Sequence, residues 1–158
     1  MGEDSNNMNK GVISEKQFAD KEPDKVVIKK LINEAFKARK MAYAPYSEFL
    51  VGAAALGSNG RIYTGCNIEN VSFSATICAE RTAMFKGVSD GCDNFKYIAI
   101  VGAKNGEKVE FCYPCGICRQ VMVEFACDGD FYIIVARDED DYRVHTLEEL
   151  LPGAFDRF

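Results

Sequence analysis

Two short apolar runs, 96–102 (KYIAIVG) and 131–136 (FYIIVA), limit what this chain can fold into more than any other feature. Each has the length of a buried strand and is rich in β-branched and aromatic residues. Between them Pro114 opens a run ending near Ala126 that reads as a helix. Upstream, Phe49 to Leu56 and Arg61 to Cys66 flank Ser58-Asn59-Gly60, and the Asn-Gly pair offers the positive backbone angles of a tight hairpin turn. Three further segments read as helices. From Asp24, a plausible N-cap, Val27, Leu31, Ala35, Ala38 and Ala42 recur at helical spacing to about Tyr43, before Pro45. Residues 78–88 (CAERTAMFKGV) are strong helix formers up to Lys86, with a stop at Gly87, and Thr146 caps a short helix to Leu151, stopped by Pro152. Strands alternating with helices predict an α/β sandwich on a mixed sheet.

At 158 residues the chain has the size of one domain. Residues 1–22 are polar and weakly periodic, and Pro23 ends them, so a mobile tail followed by a single domain over 23–158 is expected. No apolar run is long enough to cross a bilayer. The first 25 residues lack the apolar stretch of a signal peptide and hold six acidic side chains against four lysines, unlike an acid-poor transit peptide. A cytoplasmic location follows as an expectation. Net charge is -5 with no clustered Lys or Arg, which weighs against nucleic acid as a partner and favours a small neutral substrate.

The chemistry concentrates in Cys78-Ala79-Glu80 and Pro114-Cys115-Gly116-Ile117-Cys118. Three cysteines make three ligands, and a catalytic zinc keeps its fourth position for water where a structural zinc closes it. Seven cysteines without a secretory signal favour thiols and metal ligands over disulfides. Cys78 and Cys115 both fall at helix starts, where the partial positive charge helps to form thiolate. Three thiolates on Zn2+ sum to a formal charge of -1, and Arg81 and Arg119 are placed to donate to the sulfurs and offset it. Glu80, two residues after a ligand, is the candidate proton shuttle beside the open position. The plain alternatives are a Glu favoured by the helix dipole and arginines on the surface. Cys66, Cys92 and Cys127 read as small buried hydrophobes. Cys112 does too, unless it joins Cys78, Cys115 and Cys118 in a closed four-thiolate structural site. His145, the sole histidine, reads as surface or structural.

Residues 46–86 (YSEFLVGAAALGSNGRIYTGCNIENVSFSATICAERTAMFK), 114–125 (PCGICRQVMVEF) and 150–155 (LLPGAF) resemble the cytidine deaminase family of the small, homotetrameric, three-cysteine type. The likeness spans about residues 24–155 and includes the family's Asn-x-Glu element, Asn67-Ile68-Glu69. It implies a three-layer α/β/α sandwich, one Zn2+ per chain on Cys78, Cys115 and Cys118, and a homotetramer. It further implies hydrolytic deamination of cytidine and 2'-deoxycytidine in pyrimidine salvage, with Glu80 carrying a proton from water to N3 and then to the departing amino group. Asn67 and Glu69 carry over as ribose contacts, Phe49 and Ala79 as residues beside the base, and Phe155 as an aromatic brought by a neighbouring subunit. Positions 67 and 69 share a face if the segment is extended. Phe73 stands where relatives often have tyrosine, and Leu50 where they have proline. A blasticidin S deaminase shares the zinc motifs but not the Asn-x-Glu and LLPxxF elements. Polynucleotide-editing relatives generally use His-x-Glu and a basic groove.

Overall fold

The computed structural model describes residues 24–127 and 131–156, so the expected tail over 1–22 lies outside the described residues. Helix α1 spans Lys25–Arg39, and Asp24 caps it by accepting from the Val26 N–H at 2.8 Å. Strands β1 (Phe49–Gly57) and β2 (Ile62–Cys66) form the expected hairpin. Its loop differs from the two-residue turn that Asn-Gly suggests. Only Gly60 takes a positive φ (78°), and the Gly60 N–H closes a turn on Gly57 O at 3.0 Å, so the left-handed glycine follows an ordinary turn. Helix α2 (Ala79–Ser89), strand β3 (Phe95–Lys104), helix α3 (Gly116–Phe125) and strand β4 (Tyr132–Ala136) follow, then strand β5 (Tyr142–Thr146) and helix α4 (Leu147–Leu150).

The strands make one mixed sheet in the order β2-β1-β3-β4-β5. β3 and β4 run parallel, with Ile98 opposite Ile133 and Ile100 opposite Val135, and α3 lies on the crossover that a parallel pair requires. Alternate strand residues feed the two faces, as the twofold side-chain period demands. On one face Ala54, Ala99, Val101, Ile134 and Ala136 meet Ile28, Leu31, Ile32 and Ala35 of α1. On the other, Ala53, Ala55, Ile98, Ile100 and Ile133 meet Ala79, Ala83 and Met84 of α2 and Cys118 and Met122 of α3. The result is the expected three-layer α/β/α sandwich, and the sheet centre is fully buried.

Two departures from the sequence reading bear on the site. Helix α1 stops at Arg39 rather than near Tyr43, because the backbone of Tyr43 is taken by a tertiary partner. The Tyr43 N–H donates to Asn67 O at 3.0 Å and the Glu69 N–H donates to Tyr43 O at 2.8 Å, a parallel bridge centred on Ile68. Strand β5 was not anticipated. Its residues YRVHT are half-exposed and lack an apolar run, yet they pair antiparallel with β4 from Tyr142 to Thr146. The Thr146 cap is as expected, completed by Glu149, whose side chain accepts from the Thr146 N–H at 2.9 Å.

Candidate metal centre and active site

Helices α2 and α3 begin on the same face of the sheet, and their N-cap residues are Cys78 and Cys115. Neither sulfur serves as a cap, which leaves both side chains directed elsewhere. They converge with Cys118, one turn into α3. The sulfurs of Cys78 and Cys115 are 3.8 Å apart, those of Cys115 and Cys118 3.5 Å, and all three lie within 4.8 Å of one another. Three sulfurs about 2.3 Å from one tetrahedral ion would sit about 3.8 Å from each other. The donor set and its spacing therefore fit zinc.

What holds α2 in place is a close backbone approach. A β-carbon on Gly65 of β2 would fall 2.4 Å from Ala83 N and 2.5 Å from Ala79 O, so only glycine lets the helix lie this near the strand. Ala79, the first residue of α2, is fully buried in the core.

Arg81 points back to the sulfurs. Its Nη2 donates to Cys78 Sγ at 3.8 Å and to Thr76 O at 3.3 Å, while its Nε is buried without a hydrogen-bond partner among the described residues. Donation from Cys118, against the cost of burial and with help from Arg81, holds the Cys78 thiol down to about 5, and the same shared proton pushes Cys118 upward. A sulfur that is thiolate at neutral pH is ready to bind a metal. Arg119 is engaged elsewhere, contrary to its expected role at the sulfurs. Its Nε donates to Pro114 O at 2.8 Å and its Nη1 to Leu150 O at 2.7 Å, which ties the start of α3 to the end of α4.

Glu80 is 4% exposed. Burial, reinforced by the charge of Cys78, pushes its carboxyl up to about 7. A carboxyl in that range can both take and release a proton near neutral pH. Cys112 lies close enough to Glu80 and Cys78 to feel their charge, but it stands outside the three-sulfur group. Burial first, then those charges, push its thiol up to about 12. The closed four-thiolate arrangement is thus not what the fold forms.

The candidate nucleoside contacts fall into two groups, one around Phe49 and one around Asn67 and Glu69. A β-carbon on Gly102 would meet both Cys112 Sγ and Phe49 Cε1 at 2.9 Å, so the Phe49 ring and Cys112 lie together over β3. Asn67, 9% exposed, bridges the entrance of β1, donating from Nδ2 to Phe49 O at 2.8 Å and accepting at Oδ1 from the Val51 N–H at 2.9 Å. Glu69 accepts at Oε2 from the backbone N–H groups of Tyr46 (2.9 Å) and Ser47 (3.2 Å), and at Oε1 from the Ser47 hydroxyl (2.5 Å). These donors, the Ser47 hydroxyl foremost, hold its carboxyl below the usual glutamate range. A pocket of about 330 Å³ opens here, lined by Tyr46, Ser47, Glu69, Phe73 and Thr76. Sequence reasoning missed Tyr46 and Ser47, since their partnership with Glu69 spans over twenty positions and leaves no local signal; it also missed Thr76, whose hydroxyl accepts from the Asn70 N–H at 3.1 Å. Phe155 lies beside α3, where its carbonyl accepts from Gln120 Nε2 at 2.7 Å, and its side chain is largely exposed. His145 sits on β5 against the Tyr113 ring, 3.6 Å from Glu149, away from any ligand role.

The comparisons agree with this geometry. Residues 26–134 match the cytidine and deoxycytidylate deaminase zinc-binding region. A cytidine deaminase of Sporosarcina psychrophila is 50% identical over 130 residues, covering 82% of this chain and 92% of that protein. One of Halalkalibacterium halodurans is 48% identical over 125 residues, covering 79% and 91%. Among solved structures, cytidine deaminase from Burkholderia pseudomallei superposes with a TM-score of 0.69 at 42% identity, covering 80% of this chain and 97% of that one. A three-sulfur centre with a buried glutamate at its edge, carried on this fold and in this sequence, has one consistent assignment: the chain belongs to the zinc-dependent cytidine deaminases, hydrolytic enzymes, and carries one zinc per chain.

Proposed function

We propose that residues 23–158 form one deaminase domain that converts cytidine and 2'-deoxycytidine to uridine and 2'-deoxyuridine with release of ammonia, in pyrimidine salvage in the cytoplasm. Cys78, Cys115 and Cys118 hold the ion. The observation that carries this reading is the 3.5–3.8 Å spacing of the sulfurs at two facing helix starts, with Glu80 buried two residues beyond the first. Zinc, when bound there, supplies the Lewis acid that makes water a nucleophile near neutral pH.

The chain's own groups do the rest. Glu80 takes one proton from the attacking water as its oxygen bonds to C4 and delivers it to N3 of the cytosine ring; it then moves the second proton from the new C4 hydroxyl to the amino group, so that ammonia leaves as the C4–N bond breaks and the C4 carbonyl forms. Arg81 offsets the negative charge of three thiolates and holds Cys78 oriented. Phe49 presents an aromatic face to the pyrimidine, and Ala79 lies beneath it. Asn67 and Glu69 contact the sugar. With one N–H and one acceptor position of the Asn67 amide uncommitted, that residue suits a hydroxyl, which both donates and accepts. A carboxylate beside the 3'-oxygen disfavours a phosphate there, so a free nucleoside is preferred over a nucleic-acid strand. Phe155, exposed on this chain, completes the site of a neighbouring copy in a homotetramer.

Ultraviolet absorbance of cytidine and of deoxycytidine incubated with the purified protein, with zinc quantified on the same sample, tests the proposal. Turnover of both nucleosides with about one zinc per chain supports it. Higher turnover on a cytosine-containing single strand than on the nucleosides overturns the substrate reading. A monomer in solution overturns the shared site.

A further inference from the structure

We infer that Ser47 is a positioning residue for the sugar end of the substrate, acting through Glu69. The inference deepens the proposed reading of Glu69 as a ribose contact and rests on it. Ser47 Oγ accepts from the Phe49 N–H at 3.1 Å. That contact turns its single hydrogen away from the strand and towards Glu69 Oε1, at 2.5 Å. One hydroxyl therefore links the residue assigned to the base with the residue assigned to the sugar.

The count of acceptor positions decides what Glu69 has left. A carboxylate offers about four. Tyr46 and Ser47 N–H groups occupy Oε2, and the Ser47 hydroxyl occupies one position of Oε1. A single position on Oε1 remains, on the oxygen whose orientation Ser47 sets, at a pocket that Ser47 and Glu69 both line. One acceptor position suits one sugar hydroxyl. The backbone is bent to make this arrangement: Glu48 adopts φ 57°, in the left-handed region that a residue with a β-carbon rarely enters, and its N–H donates to Ala44 O at 3.0 Å. That turn brings two successive N–H groups onto one carboxylate oxygen. Ser47 itself is exposed and contributes no core packing, so its removal takes away orientation and leaves the fold.

The test uses the zinc-loaded enzyme with cytidine and with 3'-deoxycytidine, which lacks the hydroxyl in question. Ser47→Ala is expected to raise KM for cytidine about tenfold, the effect of one charge-assisted hydrogen bond, with kcat changed by less than about twofold. On 3'-deoxycytidine the same variant should match the parent, and Ser47→Thr, which keeps the hydroxyl, should restore the cytidine KM. Zinc content and melting temperature serve as controls for the fold. An unchanged cytidine KM, or an equal loss on both nucleosides, overturns the role of Ser47. Glu69→Ala separates the two failures. If Glu69→Ala narrows the preference for cytidine over 3'-deoxycytidine and Ser47→Ala does not, Ser47 alone is wrongly assigned. If Glu69→Ala leaves that preference intact, the sugar reading of Glu69 falls and the role of Ser47 falls with it.

Discussion

Arg81 Nη2 lies 3.8 Å from Cys78 Sγ and 3.3 Å from Thr76 O, so one guanidinium nitrogen anchors the first sulfur to the loop that precedes α2. The arginine is thus both a countercharge and a brace. Arg81→Gln keeps donors but loses the charge, and zinc affinity measured by competition with a chelator should fall about 10- to 100-fold. Arg81→Lys keeps the charge without the fork and should recover only part of that loss.

Glu80→Gln preserves shape and burial while removing the proton carrier. Zinc should remain at the parental stoichiometry, whereas kcat on cytidine should drop by roughly 10²- to 10⁴-fold, the usual size of a general acid–base contribution. Turnover near the parent's would contradict the proton role.

Cysteine substitutions distinguish ligand from neighbour. Cys78→Ala should abolish stoichiometric zinc, because two remaining thiolates do not make a stable site. Cys112→Ser should retain zinc, since that thiol stands outside the three-sulfur group. Metal analysis after gel filtration reads both, and loss of zinc from Cys112→Ser would restore the four-thiolate arrangement.

Gly65→Ala places a methyl group 2.4 Å from the backbone nitrogen of Ala83, which cannot swing aside as a side chain can. Overpacking of this kind costs about 1–3 kcal/mol. Thermal unfolding should show that loss, and kcat should fall as well, because the displaced helix carries both Cys78 and Glu80.

Glu69 offers a titration. Its carboxyl is held below the usual glutamate range chiefly by the Ser47 hydroxyl, so the ionised form persists to lower pH than in the unfolded chain. A depressed carboxylate contributes stability above the unfolded value and loses it as pH falls through the folded one. Carbon-detected NMR titration should find Glu69 below the ordinary value of about 4.3, and Ser47→Ala should move it upward.

The chemistry was the most legible part of this chain. Cysteines at helix starts, set as Cys-x-Glu and Cys-x-x-Cys, announce their geometry because a helix N-terminus can be read from local residues, and α2 and α3 begin where the sequence indicated. The buried strands were equally plain in KYIAIVG and FYIIVA, though β3 extends to Phe95 and Lys104. What escaped notice depends on partners distant in sequence. Tyr43 leaves the helical pattern because Asn67 and Glu69 claim its backbone, and Arg119 serves Leu150 rather than a sulfur because the end of α4 folds against it. Strand β5 was invisible because an edge strand buries too little to leave an alternating pattern. The turn at 46–48 belongs to the same class, its meaning supplied by a glutamate more than twenty positions away.

Cys78 and Cys115 are 37 positions apart, and the stretch between them includes all of α2 and β3. An ion gripped by both sulfurs closes that stretch into a loop, much as a cross-link would, and so removes freedom from the unfolded chain as well as adding bonds to the folded one. The cofactor of this enzyme is then also a clasp on its topology: the strand at the heart of the sheet lies inside a ring whose fastening is the site of catalysis.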